Sequence, residues 1–301
     1  MEKCFDDISI STQTIIGKTN WKINTPELFA NLPVVEYKVI PKKRGRRPKD
    51  DKKVEPQKLN DGDIITLKLG DKIRGVDLKS KKKSKGNYFR NSLTIVMHCE
   101  EKLINFKVSK NGKFQFTGCK NDEHSHKCLE YIRHYISLTD KKILVLPINS
   151  KLEVVYITVM SNINSNLGFC INKENLDDYV NKNTEYYSLL ETTFGYTGVN
   201  IKMNLPTIDM IPIIKMTYDE GNWGRQNLTY ANYVSLLDEK DKNKERNKTR
   251  FNTFLVFQSG NYILSSPHKE CMREAYHEFL SLVKRCRSFI EEKIEEKKED
   301  K

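Results

Sequence analysis

Residues 106–120 decide the fold, and they read Phe106-Lys107-Val108-Ser109-Lys110-Asn111-Gly112-Lys113-Phe114-Gln115-Phe116-Thr117-Gly118-Cys119-Lys120. Apolar and polar residues alternate on both sides of Asn111-Gly112. This pair favours a type I′ turn, in which both central residues need a positive φ. The stretch therefore predicts a β-hairpin. Residues 92–98 predict a strand before this hairpin, and residues 122–136 predict a long helix after it, with one apolar stripe.

The second half of the chain repeats this order. Residues 250–257 predict a strand, 258–261 a turn and 262–265 a return strand, and Ser266-Pro267 predict the start of a second long helix. The elements before the hairpins are predicted as strands at 7–17, 64–69, 92–98, 152–160, 199–205 and 211–218, and as short helices from Thr25 and at 172–180. An order that occurs twice indicates an internal duplication and an α+β fold.

We expect one half at residues 1–140 with a basic insertion at about 41–86, and a second half at 141–290 with an insertion at about 219–249. Residues 291–301 are nearly all charged and predict a tail. If both long helices cover one face of an antiparallel sheet, the other face must be solvated or bind a partner.

Charge is concentrated in one region of the chain. The 301 residues carry a formal net charge of +12. Residues 38–85 contain 18 Lys and Arg against 7 Asp and Glu, a net of +11. Such a local excess of cations favours a polyanionic partner, because each neutralised phosphate releases a condensed counterion. A solvated loop is the ordinary alternative.

The cysteines and the apolar runs restrict the setting. Seven cysteines at irregular spacing do not form a disulfide framework, which favours a reducing compartment. No apolar run reaches the ~18 residues of a membrane span, and the N-terminus lacks the pattern of a signal peptide. We therefore expect an intracellular protein that makes no membrane contact.

Two hairpins carry a resemblance to a known family. Residues 106–120 and Phe254-Leu255-Val256-Phe257-Gln258-Ser259-Gly260-Asn261-Tyr262-Ile263-Leu264-Ser265 resemble the hairpins of the TATA-binding protein repeats. In that family a Phe-x-Ser-Gly-Lys turn leads into an apolar strand and then Thr-Gly-Ala/Cys-Lys. With its large insertions, the chain resembles most the divergent TATA-binding-like proteins of large DNA viruses.

The resemblance implies a pseudo-twofold saddle, in which a curved antiparallel sheet carries two long helices on its convex face. It also implies binding of A·T-rich DNA in the minor groove through the concave sheet, with apolar wedges that kink the duplex. The function it implies is that of a transcription initiation factor. Its expected partners are double-stranded DNA and either other initiation factors or RNA polymerase, wherever the DNA is transcribed: host nucleus, viral factory or virion.

The resemblance also implies site residues, position by position. Phe257 and Ile211 stand where the second repeat has its wedges, whereas the first repeat has Ser109, which cannot wedge. The remaining positions expected to face the groove are Ile263, Ser265, Gln115, Thr117 and Ser9. Ordinary sheet packing, or cover by a partner protein, is the competing interpretation. The alternative function is therefore an interaction module of a viral transcription or DNA-packaging complex with mainly non-specific DNA binding.

A basic loop supplies a second candidate for DNA contact. Lys43-Arg44-Gly45-Arg46-Arg47-Pro48-Lys49 resembles an AT-hook, whose Arg-Gly-Arg-Pro core is interrupted here by Arg47. The basic run at 79–85 adds Lys81, Lys82 and Lys83. A nuclear-localisation cluster and a solvated loop are the alternatives.

No pattern in the sequence indicates catalysis. The chain has no phosphate-binding glycine loop, no Gly-x-Ser-x-Gly and no carboxylate pair beside a nucleophile. Cys119, His124, His126 and Cys128 are crowded, but no second Cys/His cluster completes a zinc spacing. We therefore expect neither an enzyme, nor a metal, nor a cofactor.

Overall fold

The computed structural model describes residues 4–38, 57–78, 92–139, 142–147, 150–191, 197–205 and 207–292. The strands in this part of the chain are β1 (Ile10–Thr19), β2 (Lys22–Ile23), β3 (Ile64–Leu69), β4 (Lys72–Gly75), β5 (Ser92–Cys99), β6 (Lys102–Ser109), β7 (Lys113–Cys119), β8 (Leu144–Val145), β9 (Leu152–Asn166), β10 (Tyr187–Glu191), β11 (Gly198–Asn204), β12 (Pro212–Asp219), β13 (Asn222–Thr229), β14 (Phe251–Phe257) and β15 (Asn261–Ser266). The α-helices are α1 (Thr25–Asn31), α2 (Asp122–Ser137), α3 (Lys173–Asn183), α4 (Tyr230–Ser235), α5 (Glu239–Arg246) and α6 (Arg273–Ile290). The α+β class expected from the sequence is confirmed.

The chain divides into two compact units. The N-unit comprises the described residues of 14–157 and 214–226, and the C-unit comprises those of 1–13, 158–213 and 227–301. The sequence predicts a division near residue 140. The boundaries of the two compact units fall inside β1, β9, β12 and β13.

In the N-unit the strands follow the order β1, β7, β6, β5, β3, β4. The pairs from β7 to β4 are antiparallel. Alternate residues such as Phe106, Phe114 and Phe116 are fully buried, together with Leu129 and Ile132 of α2. This helix packs on β5 and β7 and covers one face of the sheet.

In the C-unit the order is β9, β15, β14, β11, β10, and all neighbouring pairs are antiparallel. Phe254 of β14 stacks on Phe279 of α6 with ring centroids 4.1 Å apart, and Tyr262 of β15 lies 5.2 Å from the same ring. In the N-unit the second hairpin strand, β7, lies between β1 and the first hairpin strand, β6. In the C-unit β15 lies between β9 and β14 in the same way. The internal duplication and the saddle remain predictions.

The two hairpin turns depend on one glycine each. The Gly112 N–H donates to the Ser109 carbonyl at 3.1 Å, and the Gly260 N–H donates to the Phe257 carbonyl at 2.9 Å. Gly112 has φ +70° and Gly260 has φ +77°, whereas Asn111 is not among the described residues with positive φ. The predicted type I′ turn is therefore wrong. A turn closed by one left-handed glycine joins the strands instead.

One other prediction about local structure is wrong. Ser266 does not cap the second long helix, because it is the last residue of β15 and α6 begins only at Arg273, after a short 3₁₀ turn. The region 219–249, expected as an insertion, contains β13, α4 and α5.

The turn glycine of the C-unit allows a direct stability test. A Cβ on Gly260 would lie 2.1 Å from the Phe169 carbonyl oxygen, whereas one on Gly221, which also has positive φ, meets nothing within 4 Å. Gly221→Ala should lower the free energy of unfolding by about 1 to 2 kcal/mol, the strain of a left-handed non-glycine residue. Gly260→Ala should lower it by about 3 kcal/mol or more, because Phe169 must also move. Urea denaturation measures both. Equal losses would contradict the close backbone approach.

Candidate nucleic-acid interface

One face of the C-unit sheet is not covered by its helices. Phe254, Val256 and Leu264 point into the core, so the residues that alternate with them point away from it. The strand register places these outward residues in rows across β10, β11, β14, β15 and β9. We call this surface the C-face, and it consists of Tyr187, Leu189, Asn200, Lys202, Thr253, Leu255, Phe257, Ile263, Ser265, Asn162 and Asn164.

The central row of the C-face carries no charge, whereas the row that contains Phe257 and Gly198 continues to Glu191 of β10. The central row runs Leu189, Asn200, Leu255, Ile263, Asn164, with each residue opposite the next on the neighbouring strand. Lys202 is the only charged member of the set named above, and its Nζ lies 5.7 Å from the ring centroids of both Tyr187 and Phe251. The cation is thus placed beside aromatic rings at one border of the surface.

The asparagines of this face have unused hydrogen-bonding capacity. Asn162 Nδ2 donates to Thr12 Oγ1 at 3.1 Å. The Oδ1 atoms of Asn162 and Asn200 are buried and accept no hydrogen bond from the described part of the chain. A buried amide oxygen without a partner costs about 1–3 kcal/mol. A 180° rotation of the amide group exchanges its oxygen and its nitrogen, so each asparagine can present either a donor or an acceptor.

Phe257 lies at the turn end of the C-face. It is half-buried and stands opposite Gly198 of β11. A Cβ at Gly198 would lie 2.9 Å from Leu255 Cδ1. Because Gly198 has no side chain, Leu255 has room to lie on this surface.

The N-unit sheet also has a face turned away from α2. Its residues alternate with buried Phe106, Phe114 and Phe116. We call this surface the N-face, and it includes Lys68, Ile73, Ser92, Thr94, Leu103, Asn105, Lys107, Ser109, Lys113, Gln115 and Thr117.

Five of the residues expected from the sequence lie on these two faces. Phe257, Ile263 and Ser265 lie on the C-face. Gln115 and Thr117 lie on the N-face, where Thr117 Oγ1 donates to the Asn105 carbonyl at 2.8 Å. Aligned on the turn glycines, Ser109 occupies the place of Phe257, and Gln115 that of Ile263. DNA contact by all five remains a prediction.

Two expected residues lie elsewhere. Ile211 is 7% exposed, and its carbonyl accepts the N–H of Tyr230 at the start of α4. The strand that follows Ile211, β12, pairs with β9 and β13, whereas β11 occupies the place beside β14. Ile211 is therefore not on the C-face, contrary to our expectation. Ser9 is exposed but precedes β1, so it does not lie within the first strand.

Sequence reasoning missed the asparagines of β9. The predicted strand ended at residue 160, but β9 continues to Asn166 and carries Asn162 and Asn164 on the C-face. The alternation Ser161-Asn162-Ile163-Asn164 was the available signal, because Ile163 is fully buried between the two amides.

The basic-loop candidates lie outside the described residues. They are Lys43, Arg44, Arg46, Arg47, Lys49, Lys81, Lys82 and Lys83. Their contact with DNA stays a prediction from the sequence.

The crowded Cys/His residues have structural partners. His124 Nε2 lies 3.0 Å from Glu100 Oε2, and its Nδ1 accepts the Lys120 N–H at 3.0 Å. Cys119 and Cys128 are fully buried, and burial raises the pKa of the Cys119 thiol to about 12, which disfavours the thiolate that binds metals. Within the described ranges no group of three or more His, Cys, Asp or Glu residues is arranged to hold a metal ion.

No described helix is both long and apolar enough to span a membrane.

Known proteins that are similar to this chain include two viral proteins and one solved structure. No model of a known protein family matches the sequence. The chain is 25% identical over 238 residues to "Uncharacterized protein 335L" of Invertebrate iridescent virus 6, across 76% of this chain and 69% of that protein. It is 28% identical over 173 residues to "TATA-box-binding protein-like" of Acanthamoeba polyphaga mimivirus, across 48% of this chain and 47% of that protein. The solved structure of Methanococcus jannaschii TBP aligns with a TM-score of 0.43 and 12% identity, over 92% of this chain and 98% of that one.

The outward direction of the C-face can be tested by stability alone. Ile263→Ala should lower the free energy of unfolding by about 1 kcal/mol or less, because this half-buried side chain leaves no cavity. Leu264→Ala, one residue along β15, removes a fully buried side chain and should cost about 2–5 kcal/mol. Chemical denaturation of the two variants measures the difference. A loss at Ile263 as large as that at Leu264 would show that the C-face is covered.

Proposed function

We propose that this protein is a DNA-binding transcription initiation factor similar to the TATA-binding proteins, and that the C-face binds the minor groove of A·T-rich duplex. The observation that carries the proposal is the central row Leu189, Asn200, Leu255, Ile263, Asn164, which combines aliphatic side chains with amides and contains no charge.

The chemistry of this row fits the minor groove. A·T pairs show only the acceptors adenine N3 and thymine O2 there, whereas G·C pairs add a donor amino group. Asparagine amides donate to these acceptors through Nδ2, and the central row contains Asn200 and the exposed Asn164. Leu255 and Ile263 can pack on the groove floor without the penalty of dehydrating a charge.

Phe257 supplies the candidate wedge. An aromatic ring at the turn end of the sheet can enter a base step and unstack it, which bends the duplex toward the major groove. Its place on the C-face beside Leu255 supports this role. Because Ile211 is buried, we assign the wedge of the C-unit to Phe257.

The basic segments of the sequence and the mimivirus relative support the proposed role in transcription initiation. The mimivirus protein is named for likeness to a TATA-box-binding protein. The basic segments at 43–49 and 81–83 are proposed to contact phosphates along the same duplex. Other initiation factors or RNA polymerase are the proposed protein partners, at the intracellular place where the DNA is transcribed. We propose no enzymatic activity and no cofactor.

A second candidate function has its own support. Tyr187 and Leu189 on β10 are 57% and 46% exposed, and β10 is the last strand in the C-unit order. An exposed apolar edge strand suits the addition of a strand from another protein. In this alternative the module belongs to a viral transcription or DNA-packaging complex and binds DNA mainly through the basic loop.

One substitution on the C-face tests groove binding. Ile263→Lys should bring the ratio of affinities for A·T-rich and G·C-rich duplexes close to one, from roughly tenfold or more in the unchanged protein. Ser281→Lys on α6 adds the same charge on an exposed helix residue and should leave the ratio unchanged. Fluorescence anisotropy at fixed salt measures both ratios. Weak and equal affinity of the unchanged protein for the two duplexes, lost at moderate salt, would contradict the proposal.

Deletion of residues 42–53 separates the two candidates. If the C-face reads the groove, the variant should bind more weakly, with a smaller salt dependence, yet keep its preference for A·T-rich duplex. The same anisotropy titrations, repeated at several salt concentrations, provide the measurement. Complete loss of DNA binding would favour the interaction module.

A further inference from the structure

Two aromatic rings and one lysine lie together at the border of the C-face. Tyr187 of β10 stands directly opposite Lys202 of β11, and Phe251 begins β14 opposite Asn204. Tyr187 is 57% exposed and Phe251 is 36% exposed, so solvent reaches both rings. We call Tyr187, Lys202 and Phe251 the aromatic border.

The ammonium group of Lys202 lies between the two rings. Its Nζ is 5.7 Å from the ring centroid of Tyr187 and 5.7 Å from that of Phe251, within the ~6 Å range of a cation–π contact. The two centroids are therefore no more than twice this distance apart. A second planar ring between them would lie within about 4.5–7 Å of each centroid, which is the range of aromatic stacking.

The charge of Lys202 is not neutralised locally. Among the described residues no carboxylate forms an ion pair with Lys202, whose contacts are those with the two rings. Glu191, at the far end of β10, is four residues from Tyr187, which corresponds to about 13 Å along the strand. Glu185 precedes β10 and is exposed to solvent. An anionic ligand at the border would therefore meet a positive charge.

Aromatic rings beside a cation suit an unpaired nucleotide. Every base has a π-face that stacks on an aromatic side chain, and the phosphate of the same nucleotide pairs with a positive charge. Within a duplex the faces of the bases are covered by neighbouring bases, whereas in a single strand they are free to stack on protein. Lys202 has a flexible four-carbon stem, so its ammonium group can follow the phosphate while a base takes its place between the rings.

A protein strand is the other occupant to consider, and it would use the backbone of β10 instead of the rings. At Ser188 this backbone is already engaged. The Ser188 N–H donates to Asn181 Oδ1 at 3.0 Å, and Asn181 Nδ2 donates to the Ser188 carbonyl at 3.1 Å. An added strand would have to displace this amide, whereas a stacked base would not. The contacts at the border therefore favour a nucleotide.

We infer that the aromatic border binds an unpaired nucleotide of single-stranded DNA, with the base between Tyr187 and Phe251 and the phosphate on Lys202. The inference goes beyond the proposed function, because a single strand has no minor groove. It assigns the border of the C-face to a second form of DNA, while the central row remains the proposed site for A·T pairs.

Binding of single-stranded DNA to the full chain tests the inference. The probe is a fluorescently labelled oligothymidylate of about 12 nucleotides, measured by anisotropy. Tyr187→Ala and Phe251→Ala should each weaken binding by roughly five- to 150-fold, the range for loss of one stacking ring. Tyr187→Phe keeps the ring and should retain the affinity. Lys202→Gln should reduce the slope of log affinity against log salt by about 0.7, the contribution of one phosphate of a single strand.

Two controls isolate the stacking contribution. Phe289→Ala removes a ring of α6 that is 49% exposed, and it should leave the affinity for oligothymidylate unchanged. An abasic oligonucleotide of the same length keeps the sugars and phosphates but has no bases. Tyr187→Ala and Phe251→Ala should therefore not weaken its binding. Thermal unfolding confirms that each variant is folded.

Four outcomes would overturn the inference. They are unchanged affinity for oligothymidylate in Tyr187→Ala and Phe251→Ala, an equal loss in Phe289→Ala, an equally large loss with the abasic oligonucleotide, and no binding of oligothymidylate by the unchanged protein. The last result would leave β10 to strand addition by a protein.

The same titrations separate this inference from the proposed function. None of the four outcomes changes the A·T preference of the unchanged protein for duplex, so the proposed function would stand. An unchanged protein without any A·T preference would contradict the proposed function. Base-dependent losses in Tyr187→Ala and Phe251→Ala would still support single-strand binding in that case.

Discussion

The packing of one long helix on one side of each hairpin is the constraint on which the rest depends. Phe254 stacks on Phe279 at 4.1 Å in the C-unit, and α2 packs on β5 and β7 in the N-unit. Because side chains alternate between the two faces of a strand, covering one face fixes which residues occupy the other. A shift of one residue in register would bury Leu255 and Ile263 and expose Phe254 and Leu264. The chemistry of the C-face and the N-face is therefore a consequence of core packing.

Local patterns predicted the elements that depend on local contacts. The hairpin predicted at 106–120 contains the turn between β6 and β7, and the helix predicted at 122–136 agrees with α2 to within one residue. Alternation and helical periodicity extend over enough residues there to identify each element. The prediction of the turn type failed because Asn-Gly also suits a turn with one left-handed glycine. A Cβ at Gly112 would lie 2.4 Å from the Trp21 carbonyl oxygen, so this position has no room for a side chain.

Predictions failed where pairing partners are distant in sequence. Both β11 and β12 alternate apolar and polar residues, so the sequence did not show which one pairs with β14, and Ile211 was placed on the wrong strand. Ser266 followed by Pro267 has the pattern of a helix start, but pairing with Ser161 of β9 keeps Ser266 in the sheet. Asn162 and Asn164 were missed for the same reason, since the end of β9 is set by its pairing with β15. Of the candidate site, the sequence therefore predicted the hairpin residues but not those of the first strand.

The central claim is that the C-face lies in the minor groove, and methylation interference tests it most directly. Methylation of adenine blocks N3 on the minor-groove edge, whereas methylation of guanine blocks N7 on the major-groove edge. Duplexes that carry both A·T and G·C pairs are partially methylated, and the bound and free fractions are compared. Binding through the C-face predicts that N3-methyladenine is depleted from the bound fraction over one continuous stretch, while N7-methylguanine is not. Depletion of N7-methylguanine alone, or of neither base, would contradict the account.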